Sequence, residues 1–311
     1  MNEGNTLTLA QGTKLYFHDK IYCHVYGTLK AEGTQNEPVL FRGDRLDDMF
    51  SYLPYNRVPG QWGGIRFYET SYDNHLTYAT VRSGETGIRC DSSDVERITL
   101  TLENSTVHNF SRYGIDATSS KIKVGNSQIT NARKNSVSLV GGDSEFVHCT
   151  IANFYAYKAA GESALLFRNT EDKPLLNAEF RNCIITGSSS DELSGIRVED
   201  ESVPFNYTFY YSLVNTKLDE KSDDYEEQLT HFVGVVWDDD REKWHDKNFL
   251  MIDSENFDYD FRLDSISSAI DLGTAEDGRL YPFDLQGRVR LADNAPDAGC
   301  FEWMPGDGKE E

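Results

Sequence analysis

A six-residue unit returns along this chain at near-regular spacing, and a chain built from such copies folds by stacking them on one another. The unit reads apolar, any residue, Asn-like, small, any residue, Ile or Val. Its clearest copies are Leu102 to Val107, Val124 to Ile129, Phe146 to Ile151 and Phe180 to Ile185. Weaker ones are Leu76 to Val81 and Phe209 to Val214. The closing positions 81, 107, 129, 151, 185 and 214 are spaced by 26, 22, 22, 34 and 29 residues. A second apolar beat follows each copy at Ile88, Ile115, Val137, Leu165 and Ile196, often after a small residue such as Gly87, Gly114, Ala164 or Gly195. The apolar residues alternate within short pieces, so a helical period does not fit.

A period near 22 with three short strands per copy predicts an all-β chain, a right-handed parallel β-helix of about 22-residue coils, each stacked about 4.8 Å beyond the last. Equivalent residues then form columns. Ser105, Ser127, Cys149, Cys183 and Ser212 should point inward as a small column beside the Ile/Val one. Asn104, Asn126 and Asn182 should stand at bends, since Asn tolerates the left-handed conformation and bonds its own backbone. Their stacked amides should hydrogen-bond along the axis, with His148 taking the same bend. A second Asn column is expected at Asn109, Asn131 and Asn153. Extra residues must leave the stack as loops, expected near 154–163, 186–194 and 215–250, because insertions in solenoids project from the coil. The segment 44–61 is a further loop.

The reading divides one domain into N-terminal coils (1–75), central coils (76–215), an acidic insertion (216–255), a C-terminal coil or cap (256–303) and a tail (304–311). Nothing before Thr6 offers a cap for an open solenoid end, so the natural chain is expected to begin earlier. The start lacks a basic and apolar leader. The five cysteines at 23, 90, 149, 183 and 300 form no CxxC pair and no even framework, against a zinc site or disulfide scaffold. Cys149 and Cys183 are read as buried free thiols on successive coils, with a cross-coil disulfide as the alternative.

Charge bounds the partners. The chain has 52 acidic and 30 basic residues, for a net charge of −22. Residues 191–311 hold 31 of the acids against 11 bases. Such a balance excludes nucleic acid, whose binding starts with phosphate neutralisation. It also predicts that the last third repels acidic glycans unless cations intervene.

Several segments resemble one family. Gln11 to Phe17, Val25 to Leu29, Phe41 to Leu46, Pro59 to Ile65, Leu102 to Ser105, Glu145 to Thr150 and Phe180 to Ile185 look like the right-handed parallel β-helix surface lipoproteins of Bacteroides-type bacteria. Ser268 to Gly273 and Pro296 to Glu302 resemble the closing motif of exported β-helix proteins, with Cys300 in place of the usual Ala. The resemblance implies a pectin-lyase-like fold, export to the cell surface or periplasm, and an outer-membrane lipid anchor that this chain lacks. It carries over no catalytic residues, and no cofactor is expected.

Two kinds of chemistry are weighed on that scaffold. Glycan contact needs aromatic platforms with polar neighbours, and the candidates are Trp62, Tyr68, Tyr155 and Tyr157, with Tyr52, Tyr55, Tyr72, Trp237 and Trp244 near other loops. A polysaccharide lyase needs a base for the proton α to a carboxylate and a cation to neutralise that carboxylate. Arg112, Lys123, Arg133 and Lys134 are candidate bases, and Asp91, Asp94, Asp116 and Asp143 candidate ligands. A glycosidase needs a carboxylate pair, for which the chain offers Asp47-Asp48, Asp191-Glu192, Asp223-Asp224 and the run Asp238, Asp239, Asp240. That run is also the candidate Ca²⁺ site, because Ca²⁺ favours dense oxygen ligands. The expected function is a surface protein that contacts a polysaccharide without catalysis. The alternatives are a lyase or hydrolase of the pectin-lyase-like fold, and a structural or adhesive stalk.

Overall fold

The computed structural model describes residues 1–156, 162–218, 220–222, 225–238 and 245–306. Its strands form three parallel sheets that wind around one core. The first sheet runs from Thr6–Ala10 to Phe232–Val233 and the second from Lys14–Phe17 to Val236–Trp237, each with nine strands. The third holds seven, from Tyr22–Val25 to Leu193–Ile196.

The register reproduces the column read from the repeat. Val81 pairs with Val107, Val107 with Ile129, Ile129 with Ile151, Ile151 with Ile185 and Ile185 with Val214. All six side chains are fully buried. The 22-residue coil holds in the middle, where Thr101 pairs with Lys123 and Lys123 with Glu145, and at the first coil, where Thr6 pairs with Thr28. The coils that flank the middle ones are longer: Lys30 pairs with His75 and Glu145 with Glu179.

The bend between the first and second sheets is the most regular part. Tyr78, Asn104, Asn126, His148, Asn182 and Tyr211 all have φ between 46° and 51°. L-residues pay for that conformation, and Asn pays least. The amides stack as expected. Asn126 Nδ2 donates to Asn104 Oδ1 at 2.7 Å, and Asn182 Nδ2 lies 3.0 Å from His148 Nε2. One residue further on is the small column. Ser105, Ser127, Cys149, Cys183 and Ser212 are all buried. Ser127 Oγ receives the Ser105 N–H at 3.1 Å, and Ser212 Oγ receives the Cys183 N–H at 3.0 Å. The Cys149 and Cys183 thiols are free. In the second Asn column only Asn109 and Asn131 take positive φ, at 69° and 59°. Asn153 instead accepts from the Ala132 N–H.

The second beat holds for four members and fails at the fifth. Ile88, Ile115, Val137 and Leu165 pair in sequence, and the next partner is Leu193, not Ile196. Ile196 is 50% exposed. The small residue before it misleads: Gly195 is small because the Phe167 ring covers it, and a Cβ there would lie 3.0 Å from that ring. At Gly114 the cue is sound, since a Cβ would stand 2.4 Å from Ser136 O. The slip also misplaces an insertion. The connection at 188–192 is short, and the extra residues leave at 169–174 and 197–207 instead. Eleven residues, 154–164, separate the strand Thr150–Asn153 from the strand Leu165–Arg168.

The acidic insertion is not wholly outside the stack. Phe232–Val233 and Val236–Trp237 pair onto the preceding strands as one more rung. Residues beyond it, expected as a terminal coil or cap, turn back along the flank. An antiparallel hairpin, Phe249–Asp253 with Asp258–Leu263, packs Phe249, Phe261 and Leu263 onto Ala152, Ile184 and Leu213 of the second sheet. The strap then follows the Asn bend toward the N-terminal coils. Thr274 N–H donates to Asn182 Oδ1, and Arg290 donates to Asn126 Oδ1 at 2.5 Å. Gln35 reaches Gln286 O near its far end. Arg290 is fully buried and ion-paired with Glu302. A buried ion pair contributes little by itself but is costly to break from one side.

Candidate functional site

The outward positions of the third sheet form a single file: His24, Arg66, Arg89, Asp116, Ser138, Leu166 and Ser194 pair rung to rung. Strand alternation puts them on the solvent face, because their neighbours Val25, Ile65, Ile88, Ile115, Val137 and Leu165 fill the core. At about 4.8 Å per rung the seven strands present a track about 29 Å long.

A groove of about 910 Å³ occupies the middle of this track. Its floor carries Arg89, Asp116, Ser138 and Leu166, and its walls are the connections on either side. One wall is ordered by backbone bonds between coils, Arg112 N–H to Glu85 O and Lys134 N–H to Arg112 O, both 2.8 Å. Five cations line the groove: Arg89, Arg112, Lys134, Arg168 and Lys173. Three carboxylates face them: Asp116, Glu162 and Asp191. Cations thus outnumber carboxylates among the lining residues themselves, with further carboxylates at the rim.

Most of these cations have a partner at the rim. Arg112 meets Glu85 at 3.2 Å, Arg89 meets Asp91 at 3.0 Å, and Lys173 pairs with its neighbour Asp172. Lys134 reaches the Tyr113 hydroxyl at 3.3 Å and stands 5.3 Å from the ring centroid. Arg168 is exposed and has no ion pair among the described residues. Asp116 is half-buried, and burial pushes its carboxyl above the usual range while Arg89 and Arg112 pull it down.

Aromatic rings continue the same face toward the N-terminal coils. Tyr26 and Tyr68 stack at 4.0 Å, His24 Nδ1 lies 2.9 Å from the Tyr68 hydroxyl, and the Arg66 guanidinium sits 4.5 Å over the Tyr68 ring.

The residues expected from the sequence separate into four groups. Arg112, Lys134, Asp116 and Asp191 come together in the groove, and Tyr68 stands beside it. Trp62 and Tyr155 are buried and present no platform. Trp62 stacks on Phe17 at 4.5 Å and donates its indole N–H to Arg82 O, so it seals the core under the first long loop. Lys123, Asp143 and Asp91 are spent in ion pairs with Glu145, Lys121 and Arg66. Asp94 holds its own turn through the Glu96 N–H, and Asp47 pairs with Arg45. Glu192 is buried, accepting from the Ala164 and Ser189 amides. Asp238 accepts from Thr186 and Asn248 at 2.8 and 3.1 Å, in the wall of the last coils. Tyr157, Asp223, Asp224, Asp239, Asp240 and Trp244 lie outside the described residues. Among the described residues no three His, Cys, Asp or Glu side chains are gathered as a metal site.

Sequence reasoning missed Arg66, Arg89, Arg168 and Tyr26. The signal was present for one of these columns: the residue after each second-beat apolar position must face outward, which selects Arg89, Asp116, Ser138 and Leu166 directly.

Residues 63–214 match the family model described as right handed beta helix region, a span that holds the whole groove-bearing stack. The chain is a right-handed parallel β-helix. Comparison with curated proteins finds no match.

Proposed function

We propose that the outer face of the third sheet of this β-helix is a binding track for an anionic polysaccharide, such as a uronate-bearing chain. The observation that carries the reading is the gathering of cations around the exposed Arg168. In a chain of net charge −22 this groove gathers five cations on one face, and Arg168, exposed among them, has no carboxylate partner among the described residues. Guanidinium groups suit carboxylate and sulfate because their fork accepts two oxygens at once. The rings of Tyr26, Tyr68 and Tyr113 add stacking faces for sugar rings. The ligand class thus shifts from the neutral glycan that charge counting over the N-terminal two-thirds suggests. The same reading has the protein working outside the cell, where such polymers occur, as its lipoprotein resemblance implies.

The test is binding of acidic and neutral oligosaccharides by calorimetry at two salt concentrations. Arg168→Gln and Lys134→Gln should weaken acidic ligands and flatten the salt dependence, because each removes one screened charge contact. Affinity confined to neutral glycans, or unchanged in both variants, refutes the reading.

One observation favours a catalytic version. Asp116, whose carboxyl is raised by burial, faces Arg112 and Lys134 across the groove. In a lyase a neutral amine or guanidine takes the proton α to the uronate carboxylate. The C–O bond at the β carbon breaks as the double bond forms, and the leaving sugar oxygen takes a proton. Unsaturated ends released from a bound polyuronate would establish that step, and intact polymer after prolonged incubation would leave binding alone.

A further inference from the structure

A second pocket, on a different sheet, gathers cationic and amide side chains. It has a volume of about 340 Å³ and lies on the outer face of the second sheet, where the C-terminal hairpin and the end of the 44–61 loop close over it. Thr80, Thr106 and Gln128 pair along its floor, and Arg82 and His108 form the next file. The roof is Asn56, Arg57, Asp258 and Tyr259.

The charges here do not balance. Arg57 is paired with Asp258 at 2.9 Å. Arg82 has no carboxylate partner among the described residues, and its bond to the protein runs from Nε to Asn56 O at 3.1 Å. Burial, with the charges of Arg42 and Arg57 beside it, pushes the Arg82 guanidinium down to about 10. A half-enclosed cation without a counter-charge is expensive, and proteins ordinarily pair it. His108 adds no charge, since burial and the two arginines drive its imidazole down to about 3. A second polar group is also unsatisfied: Asn56 Oδ1 is buried with no hydrogen-bond partner. Turning that amide by half a revolution would present its two N–H donors at the same place, since the two ends are alike in shape.

We infer that this pocket binds one small molecule through an oxyanion group, held by the Arg82 fork with the Thr106 hydroxyl and the Asn56 and Gln128 amides as further donors. The volume admits a free sulfate or phosphate, and also a single acidic sugar. The shared chemistry is a carboxylate, sulfate or phosphate with two oxygens free to accept the fork. This site is independent of the third-sheet groove and stands or falls separately from it.

The experiment is isothermal titration of the full chain with inorganic phosphate, sulfate and glucuronate, each against chloride at equal ionic strength. The expected result is saturable one-to-one heat for at least one oxyanion in the millimolar range or tighter. Tighter binding of glucuronate than of sulfate assigns an acidic sugar, and the reverse assigns a tetrahedral oxyanion. Arg82→Gln should weaken that binding by about tenfold or more, as loss of a charge-assisted bidentate contact does, and Arg82→Lys should retain part of it. Absence of saturable heat with all three anions in the wild-type chain overturns the inference whether or not the variants fold. Equal binding by a folded Arg82→Gln variant overturns it too.

Discussion

Asn126 gives the sharpest test of how this solenoid is held together. Its backbone sits in the left-handed region at φ 46°, and its side chain is wholly buried between the stack and the returning strap. Nδ2 donates to Asn104 Oδ1 at 2.7 Å and to Phe283 O at 3.1 Å, and Oδ1 accepts from the buried Arg290 at 2.5 Å. Asn126→Ala removes all three bonds. The left-handed conformation costs a residue with a plain Cβ about 1–2 kcal/mol. Loss of the acceptor for a charged donor costs about 1.5–3 kcal/mol, and the neutral bonds about 1 kcal/mol each. These contributions overlap, so a total near 4 kcal/mol is expected, a large part of a typical domain stability of about 5–15 kcal/mol. Asn126→Gly removes the same bonds without the conformational cost and should be about 1 kcal/mol milder. Urea melts of the three proteins, with unchanged slopes, measure both differences. If Ala costs under about 1 kcal/mol, the bonds do not clamp strap to stack. If Gly is no milder than Ala, the left-handed backbone is not a strain that Asn relieves.

Two further outcomes follow from burial. Cys149→Leu or Cys183→Leu should overpack the small column and cost about 1–3 kcal/mol, while Ser should be milder because serine already occupies three positions of that column; wild-type melts for both Leu variants would refute the packing. His108 is held neutral when folded, with its titration driven down to about 3 from the ordinary 6.5. The unfolded chain therefore binds that proton first, so this contribution is complete above pH 6.5 and is lost as pH falls toward 3. His108→Gln should flatten the stability–pH curve across that window, and a curve of unchanged slope would show the imidazole to be solvated.

Much of the scaffold was legible because a β-helix writes its register into the sequence. A column of Ile and Val at one position per coil, with Asn at the bend one residue before a small side chain, can satisfy the core and the left-handed turn in only one alignment. Val81 to Val214 therefore appear in the sequence in the order in which they stack. The third sheet was harder to read. Its strands are short and its apolar beat has no Asn to anchor it, so Leu193 and Ile196 compete on equal terms. What separates them is the Phe167 ring lying over Gly195, a contact between coils that no local pattern records. The aromatic candidates failed for a related reason. A Trp beside a loop reads as exposed, yet Trp62 closes the core against Phe17, because a large ring near an insertion is as useful as a plug as it is as a platform.

The sequence by itself determined the coil, the inward columns and the bend, which follow from residue spacing and from which side chains tolerate burial or positive φ. It also fixed the overall negative charge. Only the tertiary structure decided where positive charge is concentrated. Arg89, Arg112, Lys134, Arg168 and Lys173 are spread over more than eighty residues of chain and meet because successive coils return to the same face about 4.8 Å apart. It also decided that residues 256–303 double back along the flank, where the hairpin closes over Arg82 and His108. Those contacts join positions far apart in sequence, and their energies depend on burial and on neighbouring charges that exist only once the chain has wound up.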